Sequence, residues 1–184
     1  MSKLGASPAA RPAAGADGTP PGEAALVAAF NELRDELVST LLFLLGNRDD
    51  AQDAAQDAFL KCWRARESIA GVQNLRAWIF RVGLNAAKDL QRSAWQRRKR
   101  PFMGDEIMLA GREQPPEDAL EHQESMARLR KAILELRQEE KEVFLLRQNG
   151  GLTYEQIAEI RSSPVGTVKT QMRSALMKLR KMLN

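Results

Sequence analysis

The chain has 184 residues, is 43% hydrophobic and carries a formal net charge of +4. That supplies apolar material for one medium domain or two small ones. With Cys62 the only cysteine and His122 the only histidine, an internal disulfide is excluded and a zinc centre has no ligand set.

Residues 1–22 are mostly Ala, Pro and Gly, without periodicity, and are expected to form a disordered tail. A first helix is expected over 23–46, with Leu26, Phe30, Leu33, Leu37, Leu41 and Leu44/Leu45 at three- and four-residue spacing and Gly46-Asn47 ending it. Asp49 or Asp50 is expected to cap a second helix running to Arg66, with Ala51, Ala54/Ala55, Ala58/Phe59 and Cys62/Trp63 inward. A loop around Gly71 covers 67–73. A third helix spans about 74–98 with Leu75, Trp78/Ile79, Val82, Ala86 and Leu90 on its core side. Pro101, Gly104, Gly111 and Pro115-Pro116 mark a linker over about 100–117. Beyond it, one helix (about 117–136) carries Leu120, Met126, Leu129, Ile133 and Leu136, and another (about 138–149) carries Val143, Phe144 and Leu146. Period-2 strand patterns are missing, so the fold class is all-α: two small helical domains, 23–99 and 118–184, joined by a flexible linker. The second is a four-helix domain ending in a helix-turn-helix.

That ending is the stretch 152–183, LTYEQIAEIRSSPVGTVKTQMRSALMKLRKML. Thr153 caps a short helix and Gln156 completes a capping box. Arg161-Ser162-Ser163 turns the chain. Pro164 opens a longer helix behind a Ser cap, where its missing N–H costs nothing. On a helical wheel Val165, Val168, Met172, Ala175/Leu176 and Leu179 share one side. Gly166, Thr170, Arg173, Ser174, Met177 and Lys181 share the other, flanked by Thr167 and Lys169. A second helix of this kind enters the DNA major groove. There Thr170 suits a base edge or a thymine methyl, Arg173 or Lys169 suits guanine or phosphate, and the helix start near Gly166 and Thr167 suits a phosphate.

Charge supports a second contact surface. Residues 76–100 hold eight cations (Arg76, Arg81, Lys88, Arg92, Arg97, Arg98, Lys99, Arg100) against Asp89 alone, and 161–184 hold six with no acid. Residues 104–124 between them hold seven acids against Arg112. Two basic blocks split by an acidic one imply two polyanion-binding surfaces. No nucleophile–base pair, metal cluster or phosphate-cradling glycine loop is present, so the chain is not read as an enzyme, and no catalytic residue or cofactor is assigned. The run Leu41–Leu45 is too short to span a bilayer, and the N-terminus lacks the apolar core of a secretory signal. A cytoplasmic location is expected.

Three segments carry a family resemblance: DDAQDAAQDAFLKCWRAR, NLRAWIFRVGLNAAKDLQRS, and the helix-turn-helix itself. In this order and separation they resemble bacterial RNA polymerase sigma factors of the extracytoplasmic-function group, over about 24–98 and 118–183. The resemblance implies a subunit that binds core RNA polymerase and directs initiation at promoter DNA. It implies polymerase contact at Asp53, Gln56, Asp57 and Lys61. Melting of the minus-ten element falls to the loop at about 71–75 and to Asn74, Arg76, Arg81, Asn85, Lys88 and Arg92, with Trp78 on the same helix. Thr167, Lys169, Thr170 and Arg173 would read the minus-thirty-five element. An anti-sigma factor joins the partners to be considered. Two departures stand out. Places where the family usually carries arginines hold Gln171, Ser174, Leu176 and Met177, and the loop before Leu75 lacks an aromatic. The alternative is a stand-alone helix-turn-helix regulator, which leaves the first basic helix unexplained.

Overall fold

A computed structural model describes residues 21–97 and 117–184, and among these there are seven α-helices, one 3-10 helix and no strand. The expected tail, the linker, and the basic cluster Arg98–Arg100 lie outside the described residues.

Helix α1 (Pro21–Leu45) presents Leu26, Phe30, Leu33, Leu37, Leu41 and Leu44 inward. Each buried Leu or Phe contributes about 1.5–3 kcal/mol. Gly46 ends the helix at φ 82, a left-handed value that costs other residues more. Helix α2 (Arg48–Arg64) follows at once. Its cap is Asn47, not the expected Asp49 or Asp50: Asn47 Oδ1 accepts the Asp50 N–H at 2.8 Å, and its Nδ2 donates to the Asp50 carboxylate at 2.6 Å. Ala51, Ala54, Ala55, Ala58 and Cys62 form its buried face, and such small side chains let neighbouring helices approach closely. Above them Phe30 meets Phe59 edge-on at 5.0 Å, and Phe59 stacks on Trp63 at 6.1 Å.

The segment expected as a loop contains the 3-10 helix Arg66–Gly71. Arg66 Nε pairs with Glu23 Oε1 at 2.6 Å and its guanidinium lies 5.2 Å from the Trp63 ring, pinning this turn to α1 and α2. Helix α3 (Leu75–Arg97) packs on both α1 and α2. Burial therefore reaches beyond the expected stripe: Phe80, Leu84 and Ala87 are buried with Ile79 and Ala86, whereas Leu75, Trp78, Val82 and Leu90 are half-buried. A Cβ on Gly83 would sit 2.7 Å from Leu37 Cδ1, so glycine allows α3 this close to α1. Gln91 Nε2 donates to the Leu44 carbonyl at 2.9 Å, satisfying an acceptor at the end of α1.

In the second domain α4 (Glu117–Leu134), α5 (Gln138–Gln148) and α6 (Tyr154–Arg161) surround the inner face of α7 (Val165–Leu183). Ile133, Leu136, Val143, Leu145, Leu146, Leu152 and Ile157 are buried there, while Met126, expected inside, is exposed. The domains touch: α5 packs on α1, and α6 lies against α3.

Candidate nucleic-acid interface

The helix-turn-helix is built from local bonds. Thr153 Oγ1 accepts the Gln156 N–H at 3.2 Å and Gln156 Oε1 accepts the Thr153 N–H at 2.9 Å, the expected capping box. Ser162 closes α6 at φ 50, a left-handed conformation unusual for a residue with a Cβ. Pro164 itself occupies the cap position of α7, and no side chain caps that helix. The expected Ser cap is therefore corrected: Ser163 lies one residue too early, and its buried hydroxyl has no partner. The first N–H groups of α7 are left without a side-chain acceptor, the usual condition for anion contact at a helix start.

Val168, Met172, Ala175 and Leu179 bury the inner face of α7. Two buried carboxylates set its rotation. Glu140 on α5 accepts from Lys178 Nζ at 2.7 and 2.8 Å, from Ser174 Oγ at 2.7 Å, and from the Arg137 N–H at 3.2 Å. Burial alone would push its carboxyl up, but the bonds from Lys178, Ser174 and Arg137 outweigh burial and hold it below the usual carboxylate range. Glu142 accepts from Arg161 Nε at 3.0 Å, and Arg161 also bonds Gln171. Ser174, placed on the polar face by the wheel, is thus half-buried against α5. Leu176, placed on the core side, is exposed.

Thr167, Lys169, Thr170 and Arg173 are all exposed on α7. The Thr170 hydroxyl donates to the Gly166 carbonyl at 2.9 Å, which leaves its oxygen lone pair and its methyl outward. Lys169 Nζ lies 5.9 Å from the Tyr154 ring centre, and the Arg147 guanidinium lies 5.2 Å from it. Tyr154, Lys169, Arg173, Leu176 and Met177 line a shallow groove of about 320 Å³ together with Met172 and Arg180. Tyr154 is the site residue that sequence reasoning missed. Its signal was faint, a single tyrosine opening a short helix, seven residues after Arg147 and fifteen before Lys169.

On α3, Arg81, Asn85 and Arg92 are exposed, and Arg92 stands 3.9 Å from Asp89. Asn74 is a helix cap, its Oδ1 accepting the Ala77 N–H at 3.0 Å. Arg76 and Lys88 are not free. Arg76 reaches Glu32 at 3.6 Å and the Gly150 carbonyl at 3.4 Å, and Lys88 reaches Glu142 at 3.5 Å. The loop over 71–74 with Trp78 and Arg81 forms one wall of a cleft of about 520 Å³, and Gln156, Glu159 and Ile160 of α6 form the other. On α2, Asp53 and Gln56 are exposed, while Asp57 pairs with Lys61 at 2.9 Å and Lys61 also reaches Asp89 at 3.4 Å. The hydrogen bond that Lys61 donates to Asp57, offset in part by burial, holds the Lys61 ammonium above its ordinary pKa.

The described residues contain no helix long and apolar enough to cross a membrane. Residues 29–97 match the family model for sigma-70 region 2, and residues 126–179 match that for sigma-70, region 4. The chain is 31% identical over 146 residues to the ECF RNA polymerase sigma-E factor of Haemophilus influenzae, covering 73% of this chain and 75% of that protein. It is 28% identical over 149 residues to the RNA polymerase sigma-H factor of Pseudomonas aeruginosa, covering 74% of this chain and 75% of that one. In fold it is similar to the sigma factor RpoE of Bartonella quintana, solved in complex with the anti-sigma factor NepR, with a TM-score of 0.70 and 22% identity over 88% of this chain and 95% of that one. Two sigma-70 regions in order, a relative sharing nearly a third of its residues, and a helix-turn-helix with an outward polar face together place the chain in one family: it belongs to the bacterial sigma-70 RNA polymerase sigma factors, in the extracytoplasmic-function group.

Proposed function

We propose that this sigma factor, which binds core RNA polymerase and directs promoter-specific initiation, divides the work between residues 23–99 and 118–184. The carrying observation is that each domain turns a polar or basic helix face outward: Arg81, Asn85 and Arg92 on α3, and Thr167, Lys169, Thr170 and Arg173 on α7. In this reading α7 enters the major groove at the minus-thirty-five element. Its uncapped start meets a phosphate, and Lys169 and Arg173 reach phosphate or guanine. Helix α3 and the 71–75 loop hold the melted minus-ten strand, with Arg76, Arg81, Lys88 and Arg92 tracking phosphates and Asn74 and Asn85 offering polar contacts. Asp53, Gln56, Asp57 and Lys61 on α2 face the polymerase. The chain performs no chemistry itself and acts in the cytoplasm. An anti-sigma protein is a further partner in this reading, supported by the similarly folded RpoE of Bartonella quintana, which was solved in complex with the anti-sigma factor NepR. A stand-alone regulator is not favoured, because the region 2 match accounts for the first domain.

The test is transcription in vitro with purified core polymerase on a pool of promoter fragments. The chain is expected to bind core and start transcripts from a subset sharing two spaced motifs. Arg173→Ala should weaken dependence on the upstream motif, and Lys88→Ala should slow opening at the downstream one. A chain that neither binds core nor initiates from any fragment would falsify the reading.

A further inference from the structure

Arg161 ends α6, and its side chain is only 10% exposed. Its Nε donates to Glu142 Oε2 of α5 at 3.0 Å, and Glu142 is itself buried, so the charge is balanced on the spot. Its Nη1 donates to Gln171 Oε1 of α7. Three side chains on three helices are thus joined in a line, carboxylate to guanidinium to amide.

A guanidinium carries donors and no acceptor, so the atom of Gln171 that meets it must be the carbonyl oxygen. The carbonyl is turned inward, and the amino end points away from Arg161. Among the described residues Nε2 finds no acceptor, and it is not buried, so both its hydrogens are open to solvent. Gln171 stands one turn beyond exposed Thr167 and next to exposed Thr170, on the flank of the outward face. It lies in the second turn of α7, and the early turns of a recognition helix sit nearest the base edges. An arginine at this position would set two guanidinium groups against each other. Glutamine instead accepts on one side and donates on the other.

We propose that Gln171 is a specificity-determining residue, fixed by Arg161 as a donor only: its Nε2 hydrogens go to the acceptor edge of one base in the upstream motif, a guanine or a thymine. This rests on the reading of α7 as the groove-entering helix. A free glutamine pairs bidentately with adenine, donating through Nε2 and accepting through Oε1. With Oε1 taken, that pairing is closed, and the adenine amino group is left facing the Gln171 amino group. Arg161 is a positioning residue that acts through Gln171. A neutral amide adds little at a phosphate already within reach of Lys169 and Arg173, whereas at a base edge its direction of donation discriminates.

The test uses the full chain bound to core polymerase and selects promoter fragments from a duplex pool randomised across the upstream motif. Wild type is expected to favour guanine or thymine over adenine and cytosine by about fivefold to tenfold at one position, the scale of one hydrogen bond. The enriched base tells guanine from thymine. Gln171→Glu keeps an oxygen for Arg161 but turns the outward group from donor to acceptor. Its preference at that position is expected to move to cytosine or adenine, whose amino groups donate. Gln171→Met is expected to flatten the preference. Arg161→Lys keeps a cation on buried Glu142 and releases the amide, so adenine is expected to be admitted. The same change in the Gln171→Met background is expected to alter nothing, whereas a merely structural role would disturb both backgrounds alike. Adenine still rejected after Arg161→Lys removes the positioning role. An unchanged preference in Gln171→Glu overturns the proposal, as does a loss equal on every sequence, the mark of a phosphate contact. Arg173→Ala separates this failure from that of the underlying reading. If it too leaves the selection unaltered, α7 does not enter the groove. If it alters the selection while Gln171→Glu does not, only the role of Gln171 is lost.

Discussion

Ser174 Oγ donates to Glu140 Oε1 at 2.7 Å, across 34 residues of sequence, and this contact settles which side of α7 faces outward. With Lys178 on the same carboxylate and Gln171 bonded to Arg161, α7 is held in one rotation. Two of the four positions where the family resemblance leads to an expectation of arginine, Gln171 and Ser174, are thus engaged with α6 and α5. Only Leu176 and Met177 lie fully outward.

Glu140 should matter for stability in a pH-dependent way. Glu140→Ala strips Lys178 and Ser174 of their acceptor and is expected to cost about 2 kcal/mol, discounted from the strongest charged bonds because Lys178 is partly solvated. The folded carboxyl sits below its ordinary pKa. Its contribution is therefore present above the unfolded value of about 4.3 and lost as pH falls through the folded one. Denaturant unfolding at neutral pH and at about pH 3 checks this, using Glu140→Gln as the reference. A gap from wild type that stays constant between the two would contradict it.

Met177→Arg should restore a phosphate contact. Met177 is 66% exposed, so the substitution disturbs no packing. Duplex binding by the variant should tighten several-fold at low salt, and its log-affinity against log-salt slope should steepen by about one unit. An unchanged slope would mean this face does not meet the backbone.

Ser162 pays a conformational penalty in the turn of the helix-turn-helix. At φ 50 it holds a geometry open to glycine without strain. Ser162→Gly should raise stability by about 0.5–1 kcal/mol, and Ser162→Val should lower it by about 1–2 kcal/mol. Thermal midpoints ranked glycine above serine above valine are the expected outcome. Any other order argues against the left-handed turn.

Cys62 should be inert in the native chain. Burial pushes its thiol up to about 12, so almost no thiolate exists near neutrality. Ellman's reagent is expected to react only after unfolding. Since the folded pKa lies above the unfolded value of about 8.5, stability is undiminished below that value and falls as pH rises toward about 12. Rapid labelling of the native chain would place this thiol nearer the surface.

Much of the geometry of the candidate site was readable along the chain because its determinants are local. The Thr153–Gln156 capping box spans three residues, and the exposed set Thr167, Lys169, Thr170 and Arg173 follows from the 3.6-residue period. Phe80 falls outside the single apolar stripe that periodicity predicts, because α3 is packed from two sides by α1 and α2. Asn47, Asp49 and Asp50 stand nearly adjacent as capping side chains, and only backbone geometry selects Asn47 among them.

The sequence by itself determined the helices, their order, the two basic faces and the family, since periodicity, capping and charge act over a few residues. Tertiary structure decided the rest. It turned Ser174 and Gln171 inward, exposed Leu176, and set Lys88 against Glu142 and Arg76 against Gly150. Apart from the exposure of Leu176, each of those outcomes depends on a partner from another part of the fold, between 10 and 74 residues away. Such a partner enters hydrogen-bonding range only when the apolar faces between them have packed.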